Sequence, residues 1–224
     1  MMAGQLIEAG QNRLQRDIDR WTGAANTLKN YETYVKTRGV NIFDIGYIDL
    51  LFVSNYKGGN STIGGSSEDV YKRLHPHRER LALIKREFAN NSNNYSLASL
   101  SADKKGNLKN LSNLMADAFN DCKAENSCIK GFGTAYCSAL YHLHFPDLIP
   151  VIDRRVLING GFERLTFIGT QVKDLHIHYD GLLERIHADL DIQGLYKSMR
   201  DWDKDFFTRR IPKDHKTHQT HEHH

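Results

Sequence analysis

Cysteine is scarce in this 224-residue chain: there are three, Cys122, Cys128 and Cys137, an odd number with no CxxC pair. That spacing signals neither a disulfide framework nor a zinc site and fits buried, reduced thiols. Prolines number only four, and no run of 18 or more apolar residues exists, so no membrane span is expected. The N-terminal stretch lacks an apolar block of signal-peptide length, which predicts an intracellular protein. A surplus of one charge is also missing. The net charge of +3 does not by itself identify a nucleic-acid binder.

What is present is a helical rhythm. Ile7, Leu14, Ile18 and Trp21 trace one face of a first helix. The denser apolar block Ile42 to Tyr56 reads as a buried central helix, ending in the glycine- and serine-rich loop Lys57 to Ser67. A basic segment follows: Lys72, Arg73, Arg78, Arg80, Lys85 and Arg86 against Glu79. It belongs to another helix, up to about Phe88, and reads as a phosphate-facing strip or a solvated face. Asn90 to Ser101 is polar and turn-rich. Leu108, Leu111, Leu114, Met115, Ala118 and Phe119 give a further helical stripe, as do Leu182, Leu183, Ile186 and Leu190, and then Leu195, Met199, Trp202 and Phe206. Thr166 to Thr170 reads as a short strand or a loop. The tail Pro212 to His224 carries His215, His218, His221, His223 and His224 and is expected to lie outside the fold.

One stretch carries chemistry. Ile129-Lys130-Gly131-Phe132-Gly133-Thr134-Ala135 runs into a helical pattern, and Asp153 arrives 18 residues after Ala135, in Pro150-Val151-Ile152-Asp153-Arg154-Arg155-Val156. Gly131 and Gly133 allow backbone torsions that a β-carbon penalises, hence a very tight turn between two helices. Such a turn points N–H groups outward at a helix N-terminus, where a phosphate oxygen can sit. Phe132 between the glycines can plug the core. Asp153 is also well placed as a helix N-cap, a role compatible with an ionised functional carboxylate. His142 and His144, two residues apart, lie on different faces of a helix, and His75 and His77 flank Pro76; neither pair predicts a metal site.

Residues 128–158 resemble the Gly-apolar-Gly hairpin, helix and Val-Asp segment of the helix-hairpin-helix DNA glycosylase superfamily. The resemblance implies an all-α, two-lobed fold over residues 1–211, with 212–224 as a disordered tail and the N-terminal segment packed back on the C-terminal helices. It implies a DNA partner, with Lys130, Gly131, Phe132, Gly133 and Thr134 on the backbone, helped in that family by a monovalent cation on hairpin carbonyls. It implies Asp153 as the catalytic carboxylate at the mouth of a base pocket. Asn55 and Tyr56 are candidates for the wedge that replaces a flipped base, and Tyr47 and Phe52 for the pocket lining, against ordinary core packing. Arg154 and Arg155 are candidate phosphate contacts. Met199 to Phe207 resembles the closing helix of small members. No cysteine follows Cys137, so the iron–sulfur cluster of some members is absent, and no other cofactor or metal is expected. The lyase lysine of bifunctional members is replaced by Ala135, so covalent lyase chemistry by that route is not expected. The implied activity is hydrolysis of an N-glycosidic bond by a monofunctional glycosylase acting in base-excision repair. A non-catalytic DNA-binding module and a DNA base-modifying enzyme on the same fold are the alternatives. The implied setting is a nucleoid-associated monomer in the cytoplasm, with no membrane contact.

Overall fold

The computed structural model describes residues 2–39, 41–59, 62–88, 96–100, 104–163, 165–168, 171–192 and 196–208. In chain order these form helices α1 (Met2–Lys36), α2 (Tyr47–Tyr56), α3 (Ser67–Arg73), α4 (His75–Phe88), α5 (Lys104–Asp121), α6 (Thr134–His144) and α7 (Arg154–Asn159). A two-stranded antiparallel pair follows, β1 (Phe167–Ile168) with β2 (Gln171–Val172), then α8 (Tyr179–His187) and α9 (Met199–Thr208). The protein is therefore all-α but for that one pair among the described residues, and residues 128–158 contain no strand. The histidine-rich tail lies outside the described residues, as do Asn90 to Tyr95, Leu195, Gly169 and Thr170.

The centre of the molecule is α6. Every residue from Cys137 to Leu143 is buried, because α1, α2 and α5 all pack on it. The expectation that the Ile42–Tyr56 block is the buried central helix is corrected in two ways. Residues 42–46 are turn and extended chain, and α2 begins only at Tyr47, where the Asp49 carboxylate accepts the Gly46 amide in a capping box. Ile48 and Leu51 are about half exposed, so α2 is a boundary helix with one inward face, Leu50, Val53 and Tyr56.

The first helix also turns differently. Ile18 is exposed, whereas Asp17, Trp21, Thr27 and Tyr31 are buried. Asp17 faces inward because Arg155 of α7 reaches it at 2.9 Å. The side chains of Ile7 and Leu14 lie outside the described residues. The basic segment forms two helices, α3 and α4, and Pro76 lies in the first turn of the second, where its missing N–H costs nothing. Three of its arginines are structural: Arg73 donates to the Glu125 and Cys128 carbonyls, Arg78 to those of Ile45 and Tyr71, and Arg80 pairs with Asp117 and Asp121, whereas Arg86 is exposed and pairs with the adjacent Glu87. The stripes of α5 and α8 are buried as their periodicity predicts.

The N-terminal helix packs on the C-terminal one. Arg200 of α9 lies 3.9 Å over the Trp21 ring, and the Phe207 ring is 6.1 Å from it. With α7 also against α9, the two ends of the chain close around residues 151–155. That closure positions the site.

Candidate functional site

Asp153 is the N-cap of α7: its Oδ1 accepts the Val156 amide at 3.0 Å. Its Oδ2 accepts from Lys57 Nζ at 2.9 Å, an ion pair between side chains only 18% and 14% exposed. Lys57 is the residue immediately after α2, so the end of one helix faces the start of another. Burial alone pushes the Asp153 carboxyl up, but Lys57, the Val156 amide and the nearby Arg155 outweigh it and hold it below the ordinary carboxylate range. Cap and functional carboxylate coexist in one residue.

Two cavities meet at this pair. The first, about 820 Å³ and open to solvent, is lined by the hairpin residues Lys130, Gly131, Phe132, Gly133 and Thr134 together with Lys57, Asp153 and Arg154. Lys123, Lys130, Lys57 and Arg154 give it four cationic side chains against the carboxylates Asp153 and Asp174. The second, about 570 Å³, lies toward the helix ends and has aromatic walls, Trp21, Tyr56 and Phe207, with the carboxylates Asp153 and Asp203. Asp203 projects from α9 on its buried face. Burial raises its carboxyl to about 7; Arg200 opposes this and Asp153 adds to it.

The hairpin is only partly as its glycines suggest. Gly131 has φ +85°, a left-handed conformation that needs glycine, and Phe132 is buried in the core as a plug. Gly133 is the N-cap of α6 with φ −100° and ψ −171°, ordinary extended backbone, and a β-carbon there meets nothing within 4 Å. The expectation that both glycines escape a steric penalty therefore holds for Gly131 alone. The turn also does not join two helices directly, since α5 ends at Asp121 and residues 122–129 form irregular turns before it. The carbonyls of Ile129 and Lys130, candidates for holding a cation, accept the amides of Phe132 and Gly64. No group of three or more potential metal-ligating side chains occurs among the described residues.

The remaining candidates separate. Tyr56 lines the second cavity but is buried, its hydroxyl accepting from Arg200 at 2.8 Å, so it belongs to a wall and not to an exposed wedge. Asn55 is exposed at the rim and donates to Thr27 Oγ1 at 2.9 Å. Tyr47 sits at the opposite end of α2 and lines a third cavity, with Arg38 and Tyr71; it does not join Asp153. Phe52 packs against Tyr31 and Tyr34. Arg154 borders both main cavities. Arg155 is engaged with Asp17 and the Phe207 carbonyl, tying α7 to both chain ends. Neither His142 nor His144 faces a metal: one bonds the Ile149 carbonyl and the other Tyr31. Of the cysteines, Cys122 and Cys137 are buried, whereas Cys128 is exposed.

The sequence placed Trp21 on a helix face, Lys57 in a loop and Asp203 and Phe207 in the closing helix, but marked none of the four as a site residue. Asp203 did leave a signal, because Met199, Trp202, Asp203 and Phe206 share one buried helical face, and an acid at such a position is out of place in a plain core. Compared with family models, with curated proteins and with solved structures, the chain shows no match in any of the three. No helix among the described residues is long and apolar enough to cross a membrane.

Proposed function

We propose that the chain is a monofunctional DNA glycosylase of two-lobed helix-hairpin-helix type, acting on a damaged or modified base flipped out of the duplex. The observation that carries the reading is the Asp153–Lys57 pair at the junction of a cationic, hairpin-lined cavity and an aromatic-walled one. The division of labour follows from the chemistry of the two walls. Phosphates are drawn to the lysines and to the amides that open α6, where the first helical N–H groups have no intrahelical partner. A base removed from the stack needs an aromatic-lined recess, and Trp21, Tyr56 and Phe207, with guanidinium groups of Arg200 and Arg155 against their rings, line this one.

Between the two, the sugar lies against Asp153. Breaking the glycosidic bond builds positive charge on the sugar, and a carboxylate already ionised stabilises that charge more in the transition state than in the ground state. Asp153 also orients the attacking water and accepts its proton. Lys57 keeps the carboxylate ionised in the free protein and, once a phosphate arrives, has a second anion to engage.

The test is incubation of the protein with duplexes carrying oxidised, alkylated or deaminated bases, beside Asp153→Asn. Base release falling at least a hundredfold in the variant, about 3 kcal/mol of lost transition-state stabilisation, supports the reading. Salt-dependent DNA binding with no release by either protein supports a non-catalytic module instead.

A further inference from the structure

The aromatic cavity contains a carboxyl group that the reading above does not use. Asp203 lines it together with Asp153 but comes from a different helix, α9, which packs against α7. It is 8% exposed, and its one hydrogen bond among the described residues is a long one, 3.4 Å from Arg200 Nη1. That guanidinium is shared: it pairs with Asp203 only at this distance, donates from the same nitrogen to the Tyr56 hydroxyl at 2.8 Å, and stacks on Trp21, while its Nη2 has no hydrogen-bond partner among the described residues. Asp203 is thus a carboxyl with spare hydrogen-bonding capacity in the wall of a chamber sized and faced for a base. Its partner carboxylate, Asp153, is held by Lys57 and the Val156 amide. Two carboxyl groups in one cavity with opposite environments form the arrangement that divides acid from base roles.

We propose that Asp203 is a second catalytic residue of this cavity, the acid that delivers a proton to the departing base, and that the base is a purine. This rests on the glycosylase reading. The C1′–N9 bond breaks, and its electron pair goes to the purine. The Asp203 carboxyl proton passes to ring nitrogen N7 or N3, so the purine leaves neutral. Water bonds to C1′, and its proton passes to Asp153. Asp153 then releases its proton to solvent, and Asp203 takes one from solvent, which restores both groups. Purines fit because N3 and N7 carry basic lone pairs away from the bond being broken, whereas uracil- and thymine-type bases offer only weakly basic carbonyl oxygens.

The protonation state agrees with the geometry. Burial lifts Asp203 to about 7, so at and below neutral pH it holds its proton in a site where Asp153 does not. The charged groups facing it are Arg200 on its own helix, Arg20 on α1, Lys57 after α2, and Asp153, Arg154 and Arg155 at the start of α7. Burial first, and Asp153 after it, produce the rise; Arg200 and Lys57 oppose it.

The experiment compares wild type with Asp203→Asn and Asp203→Glu on single-lesion duplexes. The probes are the neutral purines hypoxanthine, 8-oxoguanine and ethenoadenine, the already cationic 7-methylguanine, and the pyrimidines uracil and 5-hydroxymethyluracil. Release of a neutral purine is expected to fall about a hundredfold in Asp203→Asn and to recover in part in Asp203→Glu. Wild-type turnover should decline tenfold per pH unit above about 7, a limb absent in the Asn variant. Release of 7-methylguanine, which needs no proton, should change by less than about threefold. Equal losses on neutral and cationic purines would make Asp203 structural and overturn the proposal. So would release confined to pyrimidines or to 7-methylguanine. Release abolished by Asp153→Asn but indifferent to Asp203→Asn would leave the glycosylase standing and the acid refuted. No release from any probe would remove both.

Discussion

A lysine one residue beyond a helix, facing an aspartate one residue before another, holds two helix ends together through a single contact. Neither side chain is more than one-fifth exposed, so the pair is screened less than a surface ion pair. Lys57→Met removes the cation and leaves Asp153 with only its cap hydrogen bond, at a cost of about 1–3 kcal/mol, midway between exposed and fully buried pairs. Because the Asp153 carboxyl sits below its ordinary range in the folded protein, this stabilisation is present above the unfolded value and lost as pH falls through the folded one. Urea titrations at pH 7 should therefore show the deficit, and titrations near pH 3 should show it shrinking. A double-mutant cycle with Asp153→Asn should return a coupling of about 1 kcal/mol or more; additive losses would mean that the two residues do not pair in solution.

At the scale of elements, the hairpin makes the sharpest demand. Gly131→Ala forces an L-residue into the left-handed region and should cost about 1–2 kcal/mol, whereas Gly133→Ala occupies ordinary backbone with open space and should cost only about 0.5 kcal/mol, the difference between Gly and Ala as an N-cap. Thermal melts of the two variants check this, and equal losses would contradict the turn described here. The same contrast shows what was legible beforehand. A Gly-apolar-Gly pattern identified the turn and its buried plug, Phe132, but one spacing cannot distinguish a glycine needed for torsion from one that caps a helix. Likewise, the stripes of α5, α8 and α9 were readable because a 3.6-residue period survives in any packing. The start of α2 was not, because it depends on Asp49 capping Gly46 while also pairing with Arg38. Asp153 was legible as a cap because its signal is local. Its partners were not: Lys57 lies 96 residues away and Asp203 on the last helix, and only tertiary packing brings them near.

For the whole molecule, the buried titratable groups set how stability responds to acid. His142 and His144 on α6 are pushed down to about 4 and about 3, in each case by burial first, with Arg200 and Lys57 adding for His142 and Arg38 for His144. Burial and Arg38 keep the His144 ring neutral; because Tyr31 already donates its hydroxyl proton to Asp49, the ring donates to Tyr31 through Nε2–H. In the unfolded chain both rings protonate below about 6.5, so the unfolded state binds more protons and stability falls as pH drops from there toward 4. Asp203 works in the other direction. Between about 4 and 7 its folded form keeps a proton that the unfolded form releases, so its contribution declines as pH rises across that window. Replacing Asp203 with Asn deletes only this opposing slope. Unfolding free energies from denaturant titrations at pH 4.5 to 6.5 should then rise more steeply in Asp203→Asn than in wild type, by about 1.4 kcal/mol per pH unit. The two curves should run parallel above pH 8, where Asp203 is ionised in both states. Parallel curves throughout would mean that Asp203 titrates as an ordinary carboxylate, and the closure of α1 on α9 would then admit more water than the packing around Trp21 and Arg200 implies.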